Sequence, residues 1–314
     1  MGEHAEGLIP LIVLAGLTAT GKSELAVGIA QEFDGEVISA DSMQIYKGLD
    51  VGTSKLSKEA MRGIAHHMID IVEPDVYYDV AQYVREAKRC INEIIKRGRL
   101  PIVCGGTGLY ISSLLNRTPL DYPKTDKALR KAIEEEYDRD NGLSLGMELA
   151  DKNNEALNTV HKNDKKRIVR SIELQRLRDK SLIPLTSINK CTKTEYKTIE
   201  MILIPNDRIS VYSRVAERVD IMMDNGLLSE AEYVYTNRSR FNTASQAIAY
   251  KEFFDYFEQK AFLGDCVNLL KQSTRRYAKR QATWFNRYEK AVFLNPDTLN
   301  FREVKDLVKN RLKD

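Results

Sequence analysis

The sequence reads Gly16-Leu17-Thr18-Ala19-Thr20-Gly21-Lys22-Ser23 between an apolar run at residues 8–14 and a helical pattern. This spacing is typical of a phosphate-binding loop, in which two glycines let the backbone curl so that its N–H groups point inward. Lys22 then supplies a mobile cation, and the Ser23 hydroxyl can hold Mg²⁺ beside bound phosphates. The motif alone can occur by chance in a loop, but the strand-like run before it and the helical period after it favour a phosphate site.

Short β-rich runs alternate with helical periods along the chain. We predict strands at residues 8–15, 37–40, 68–72, 100–104, 199–204 and 291–294, and a helix at residues 79–97 that Gly98 ends. This alternation predicts an α/β fold, a parallel sheet of the P-loop NTPase type flanked by helices on both faces.

The alternation stops in the middle of the chain. Pro119 and Pro123 interrupt it, and residues 124–190 are polar, charged and helical in pattern, without a convincing strand. We therefore predict three segments: residues 1–120 as the first part of the core, 121–195 as an all-helical insertion domain, and 196–314 as the completion of the core with C-terminal helices.

Composition limits the kind of protein. The 314 residues are 43% hydrophobic and 30% charged with a net charge of +3, which fits a folded globular chain and carries no whole-protein signal for a polyanion partner. The four cysteines form no C-x-x-C pair, as expected for reduced thiols. The chain shows no signal-peptide pattern and no apolar run long enough to span a bilayer, so we expect a cytoplasmic protein without membrane contact.

Two further segments follow predicted strands. Asp41 comes directly after the second strand, and residues 105–108, with Thr107, follow the fourth. Ligands of open parallel sheets bind at the carboxyl ends of the strands, where these segments would meet the phosphate-binding loop. Taken singly, Asp41 could instead cap a turn, and residues 105–108 could be a simple glycine-rich turn before a helix.

Basic residues concentrate in two places. Residues 161–180 hold eight basic side chains against three acidic ones, and residues 271–290 hold seven against one. Tyr277, Trp284, Phe285 and Tyr288 interleave with the second group, a pattern that suits phosphate contacts and base stacking. Alternatively, the aromatic side chains face the core and the cations form a solvated helix face.

Five segments together carry a family resemblance. They are GLTATGKS at residues 16–23, SADSMQIYKGLDVGTSK at 39–55, GGTGLY at 105–110, HKNDKKRIVR at 161–170 and TRRYAKRQATWFNR at 274–287. With them the chain resembles the tRNA dimethylallyltransferases, also called tRNA isopentenyltransferases, over essentially its whole length. Two positions depart from the family pattern: Leu17 stands where proline is usual, and Ala249 stands where glycine is usual.

The resemblance implies a reaction. Such enzymes transfer a dimethylallyl group from dimethylallyl diphosphate to N6 of adenine 37 in tRNAs that read codons beginning with U, and release diphosphate. Residues 16–23 would bind the diphosphate with Mg²⁺ on Ser23, Asp41 would act as general base, and Thr107 and Arg218 would complete the catalytic set. Sequence alone would assign Arg218 to a surface helix.

The resemblance also implies an RNA surface and partners. We expect a monomer that binds dimethylallyl diphosphate and the anticodon stem-loop of tRNA, with the helical insertion clasping the stem. The tRNA contacts would be Asp41, Ser42, Met43, Gln44, Thr107, Arg130, Lys166, Arg167, Ile168, Val169, Arg170, Gln246, Ala247, Ile248, Ala249, Tyr250, Lys251, Arg280, Gln281, Ala282, Thr283, Trp284, Phe285, Asn286 and Arg287.

Two other functions use the same loop. A small-molecule or nucleoside kinase would bind ATP there, with Asp41 activating an acceptor hydroxyl, and would need no basic helices. A non-catalytic RNA-binding protein could use a nucleotide as a switch and leave the RNA unmodified.

Overall fold

The computed structural model of the chain describes residues 8–118, 126–152, 164–177 and 195–313. The chain divides into two compact units. Met1–Leu115 and Thr194–Asp314 form the first, and Asn116–Lys193 forms the second.

The first unit is built on one sheet of six parallel strands. These are β1 (Ile9–Gly16), β2 (Gly35–Ser39), β3 (His66–His67), β4 (Leu100–Gly105), β5 (Tyr196–Leu203) and β6 (Val292–Leu294), in the order β3-β2-β4-β1-β5-β6. The central strand β1 pairs with β4 from Ile12 to Ala15 and with β5 along its whole length. Its residues from Leu11 to Ala15 are at most 1% exposed, as expected for a parallel strand that helices cover on both faces. The predicted α/β parallel sheet is confirmed.

The third strand differs from the prediction. A strand was expected at residues 68–72, but only His66–His67 pairs with β2. Met68 (φ 64°) and Asp70 (φ 55°) adopt left-handed backbone conformations that cannot continue a strand, and Val72 forms only an isolated bridge with Tyr46. In this segment Met68 is buried, whereas Ile69, Ile71 and Val72 are only partly buried.

Helices surround the sheet and form the second unit. In chain order the described helices are α1 (Lys22–Glu32), α2 (Val80–Lys96), α3 (Gly108–Leu114), α4 (Lys127–Asp140), α5 (Leu143–Lys152), α6 (Lys165–Leu177), α7 (Arg208–Asp224), α8 (Leu227–Thr236), α9 (Phe254–Phe257), α10 (Leu263–Phe285) and α11 (Phe301–Lys313). None of them is both long and apolar enough to cross a membrane.

Helix α2 shows how local sequence sets an element. Asp79 accepts a hydrogen bond from the Gln82 backbone N–H, and the Gln82 side chain accepts one from the Asp79 N–H, which forms a complete capping box. Apolar residues at helical spacing, among them Tyr83, Ile91 and Ile94, are fully buried. The predicted helix at residues 79–97 is therefore confirmed.

One hydrophobic cluster of the described residues lies on one face of the sheet. Helix α1 and the last helix, α11, cover the central strands there, and Val304 and Val308 of α11 join Leu14, Ile29 and other buried residues in one cluster. Burial of this apolar surface holds the C-terminal helix against strands that come early in the chain.

The second unit has its own small core. Helices α4, α5 and α6 enclose Ile133, Tyr137, Leu145, Ile168 and Ile172. The described part of this unit is helical, as the sequence pattern predicted, whereas the helical pattern at residues 153–163 and 178–190 lies outside the described residues.

Candidate functional site

The phosphate-binding loop lies at the carboxyl end of β1 and leads directly into α1. Gly16 has φ 142°, and a Cβ there would lie 2.3 Å from the Leu203 carbonyl oxygen of β5, so only glycine fits. Gly21 has φ 76° and occupies the N-cap of α1, where no side-chain hydrogen bond from the described residues takes up the first helical N–H groups. Uncapped N–H groups at a helix start favour an anion.

Lys22 folds back over the loop. Its ammonium donates to the Leu17 carbonyl, while the Thr20 hydroxyl donates to the same oxygen at 2.8 Å. Burial lowers the pKa of Lys22 to about 8, and Arg218 contributes to the shift, while Cys104 and Asp41 oppose it. Lys22 therefore changes charge close to neutral pH.

Asp41 and Thr107 lie on segments that are directly hydrogen-bonded. The Thr107 N–H donates to the Ala40 carbonyl at 3.1 Å, and its hydroxyl oxygen accepts from the Ser42 N–H at 3.1 Å. A Cβ at Gly105 would lie 2.3 Å from the Ala40 oxygen, so this approach requires glycine. The ends of β2 and β4 thus meet beside the phosphate-binding loop.

The Asp41 carboxylate has two kinds of neighbours. Its Oδ1 accepts from the backbone N–H groups of Met43 at 2.8 Å and Gln44 at 3.4 Å, so Asp41 does cap its own turn. The same carboxylate raises the pKa of both Lys22 and Arg218, although burial lowers both pKa values overall. Capping and a position beside the site cations are therefore compatible.

Arg218 and Tyr277 complete the arrangement. Arg218, on α7, is partly buried; burial lowers its pKa, and Asp41 and Tyr277 oppose that shift. Burial raises the pKa of the Tyr277 phenol, and the nearby Asp41 carboxylate raises it further. Hydrogen bonds with Thr107 and Gln281 lower that pKa in part. The sequence pattern identifies Tyr277 only as an aromatic residue among cations, because helical spacing does not show what a side chain faces.

Gln281 bridges two of the loops. Its Oε1 accepts from the Thr18 N–H of the phosphate-binding loop at 2.8 Å, and its Nε2 donates to the Gly106 carbonyl at 3.0 Å. The side chain is 4% exposed. Gln281 thereby attaches helix α10 to two loops of the site, although the family resemblance implied an RNA contact for this residue.

The remaining predicted RNA residues at the end of α10 and directly after it differ in exposure. Phe285 is buried, and the Trp284 indole N–H donates to the Ser112 hydroxyl at 3.2 Å. Ala282 is partly buried. The solvent-exposed members are Arg280, Thr283, Asn286 and Arg287. The buried Phe285 and the exposed Arg280 and Arg287 match the alternative of core-facing aromatic side chains and a solvated cationic face, whereas phosphate contacts and base stacking stay predictions.

Residues 246–251 also divide by exposure. Gln246 and Lys251 are exposed and Ile248 is partly buried, whereas Ala247, Ala249 and Tyr250 are buried. Ala249 has φ 93°, a conformation that favours glycine, so the departure from the family pattern falls where the backbone is strained. Leu17, the other departure, is 3% exposed and in the core.

In the second unit the predicted RNA residues are placed as follows. Lys166 and Arg167 are exposed on α6, while Ile168 and Val169 belong to the core of the unit. Arg130 and Arg170 both donate to one oxygen of Glu173, a carboxylate that is fully buried.

Comparison with known proteins identifies the family. The sequence model of the IPP transferase family matches residues 44–288. A tRNA dimethylallyltransferase of Thermoanaerobacter sp. (strain X514) is 39% identical over 97% of both chains, and that of Bacillus subtilis (strain 168) is 38% identical over 88% of this chain and 87% of its own.

Solved structures agree in fold. A tRNA isopentenylpyrophosphate transferase from Staphylococcus epidermidis superposes with a TM-score of 0.69 at 34% identity, covering 97% of this chain and 99% of its own. A eukaryotic dimethylallyltransferase acting on tRNA superposes with a TM-score of 0.79 at 29% identity, covering 96% of this chain and 80% of its own. The chain belongs to the IPP transferase family.

Proposed function

We propose that this chain is a tRNA dimethylallyltransferase, which transfers a dimethylallyl group from dimethylallyl diphosphate to N6 of adenine 37 in the tRNA anticodon loop. Membership of the IPP transferase family and the names of its relatives support transfer to tRNA. The observation that carries the proposal is the meeting of the Asp41 turn, Thr107 and the phosphate-binding loop at one edge of the sheet.

The phosphate-binding loop would hold the leaving group. The donor's C1–O bond breaks and its electron pair departs with diphosphate, so negative charge grows on the oxygens that residues 16–23 would surround. The N–H groups at the start of α1, Lys22 and Arg218 are the positive groups of this region, and such donors lower the barrier where charge develops.

Asp41 would take the proton. The N6 lone pair of adenine is delocalised into the ring, so attack on the allylic carbon becomes easier if a base removes a proton as the N6–C bond forms. One Asp41 oxygen accepts two backbone N–H groups, which orients the carboxylate, and Thr107 lies next to it to contact the nucleotide or the diphosphate.

A magnesium ion fits the residues present in a limited way. No cluster of three or more His, Cys, Asp or Glu side chains that could hold a metal occurs within the described residues. The Ser23 hydroxyl, at the second position of α1, is the protein oxygen that would hold the ion, because Mg²⁺ commonly keeps several waters and binds substrate phosphates. When bound, the ion would add positive charge beside the departing diphosphate.

Exposed cations would bind the RNA. Arg280 on α10, Arg287 just after that helix, and Lys166 and Arg167 on α6 are open to solvent and suited to phosphate contacts. The enzyme must also extract the target base from its stack, at a cost of a few kcal/mol. We propose that a monomer is active, in the cytoplasm where its tRNA occurs.

One assay separates this function from its alternatives. The protein is incubated with Mg²⁺, isotopically labelled dimethylallyl diphosphate and unmodified tRNA, and label is expected in the RNA. A matched tRNA with guanine at position 37 lacks the N6 amine and should stay unlabelled. Transfer of γ-phosphate from ATP to a small acceptor without labelled RNA would instead indicate a kinase, and tRNA binding without any transfer would indicate a binding protein.

A further inference from the structure

Glu230 holds a loop of three consecutive residues by their backbone. Its carboxylate accepts from the N–H groups of Asp50 at 2.7 Å, Val51 at 2.9 Å and Gly52 at 2.8 Å. Successive N–H groups that point to one spot form an anion-binding nest, and here a side chain from α8, 180 residues further along, fills it. Among the described residues no cation forms an ion pair with Glu230, so the nest and one hydroxyl satisfy its charge.

The loop that Glu230 holds is connected to Asp41. Directly after Gly52, the carbonyl groups of Thr53 and Ser54 accept from the Gln44 side-chain amide at 3.2 and 3.5 Å. The Gln44 backbone N–H donates in turn to Asp41. The other end of the Gln44 side chain, Oε1, accepts from the Ser39 hydroxyl at the end of β2 at 2.9 Å.

Glu230 also binds the segment at residues 246–251. The Tyr250 hydroxyl donates to the Glu230 carboxylate at 2.8 Å, and its ring is fully buried against the same loop. A Cβ at Gly52 would lie 2.5 Å from that ring, so the loop and Tyr250 are in tight contact. A single carboxylate therefore joins α8, residues 50–52 and residues 246–251.

We infer that Glu230 is a positioning residue for the transfer reaction, which acts through residues 50–54 and Gln44 to keep the Asp41 carboxylate oriented. This inference rests on the proposed function. Without the carboxylate, three N–H groups lose their acceptor, the carbonyl groups that fix Gln44 shift, and the turn that presents Asp41 loses a support. An error of about 1 Å at a catalytic group can cost about 100-fold in rate.

The test measures transfer at saturating concentrations of both substrates. For Glu230→Ala we expect kcat to fall about 10- to 100-fold, with the tRNA dissociation constant and the KM for dimethylallyl diphosphate changed by less than about threefold. Glu230→Asp keeps the charge and should recover part of the rate. Hydrogen exchange of the Asp50, Val51 and Gly52 amides should accelerate in the alanine variant.

A matched control separates positioning from stability. Glu36, like Glu230, is a carboxylate with several partners, here Arg97, Arg99 and His67, but it lies near the amino end of β2, away from the strand ends that form the site. Glu36→Gln should lower stability and leave kcat unchanged. Gln44→Ala combined with Glu230→Ala should be no slower than the worse single variant, because both act along one connection.

The outcomes distinguish two failures. Wild-type protein that leaves tRNA unlabelled would overturn the proposed function. An active wild type with an unchanged kcat in folded Glu230→Ala, or rate losses for Glu230 and Gln44 that simply multiply, would overturn the inference alone. If Glu230→Ala does not fold, Glu230→Asp decides it, since this variant must lower kcat without weakening tRNA binding.

Discussion

Replacing Gln281 with leucine removes the bridge between two loops of the site while keeping a side chain of similar size. The wild-type amide makes two hydrogen bonds, one to the Thr18 N–H and one to the Gly106 carbonyl. Leucine can make neither. Gln281→Leu should therefore destabilise the first unit and loosen the phosphate-binding loop.

The expected loss follows from the surroundings of each bond. The bond to Gly106 is buried, so its carbonyl stays without a partner and the cost is about 1–3 kcal/mol. The bond from Thr18 is only partly buried, where water can replace the lost oxygen, and its loss costs about 0.5–1 kcal/mol. Together we expect a loss of about 1.5–4 kcal/mol of unfolding free energy.

The chain has a built-in probe for this measurement. It contains one tryptophan, Trp284, which lies three residues from Gln281 and donates to Ser112 on α3. Urea unfolding followed by its fluorescence reports the first unit next to the altered bridge, even if the second unit unfolds separately. The affinity for dimethylallyl diphosphate should fall in parallel, because the loop is less well ordered before binding.

A control variant on the same helix tests the argument. Thr283 is exposed and donates only to the Lys279 carbonyl, so Thr283→Ala should change the unfolding free energy by less than about 0.5 kcal/mol. A loss below about 1 kcal/mol for Gln281→Leu, or one equal to that of Thr283→Ala, would show that the bridge does not contribute as we argue.

Three further predictions concern the site cations and the base. Asp41→Ala should nearly abolish label transfer and leave tRNA affinity close to normal in a filter-binding assay; unchanged turnover would remove Asp41 from the role of base. The pKa of Lys22 is about 8, so its ammonium is present below that pH and lost above it. We therefore expect kcat/KM for dimethylallyl diphosphate to fall up to about tenfold per pH unit above about pH 8. A flat profile from about pH 7 to 10 would contradict this. Arg167→Ala should weaken tRNA binding and lower the slope of log affinity against log salt by about 1, and an unchanged slope would be the contrary result. Arg170→Ala is a less clean test, because it also removes one of the two arginine partners of the buried Glu173.

Helices and strands were predicted correctly where neighbouring residues in the sequence determine them. The capping box at Asp79 and Gln82 needs only three residues of spacing, and α2 starts where it was expected. The error at residues 68–72 has the same origin, since apolar residues can be buried by a turn as well as by a strand, and sequence does not show that Met68 takes a left-handed backbone.

The site was predictable only in part. The groups of the phosphate-binding loop lie in eight consecutive residues, so the sequence shows them directly. The ends of parallel strands meet at one edge of a sheet, which predicts that Asp41 and Thr107 lie near this loop. The catalytic and RNA-binding roles of these residues stay predictions. Arg218 came only from family resemblance, because nothing in a helical repeat distinguishes a charge beside Asp41 from one in solvent.

What the sequence determined by itself is the set of groups that can bind phosphate and accept a proton, together with the alternating elements that place strand ends on one edge. What the tertiary structure decided is how these groups are held. The Gln281 bridge joins residues 263 positions apart and the Glu230 contact joins residues 180 positions apart. Such contacts depend on how helices pack on the sheet, and no periodicity along the chain records which side chain will meet a given backbone N–H.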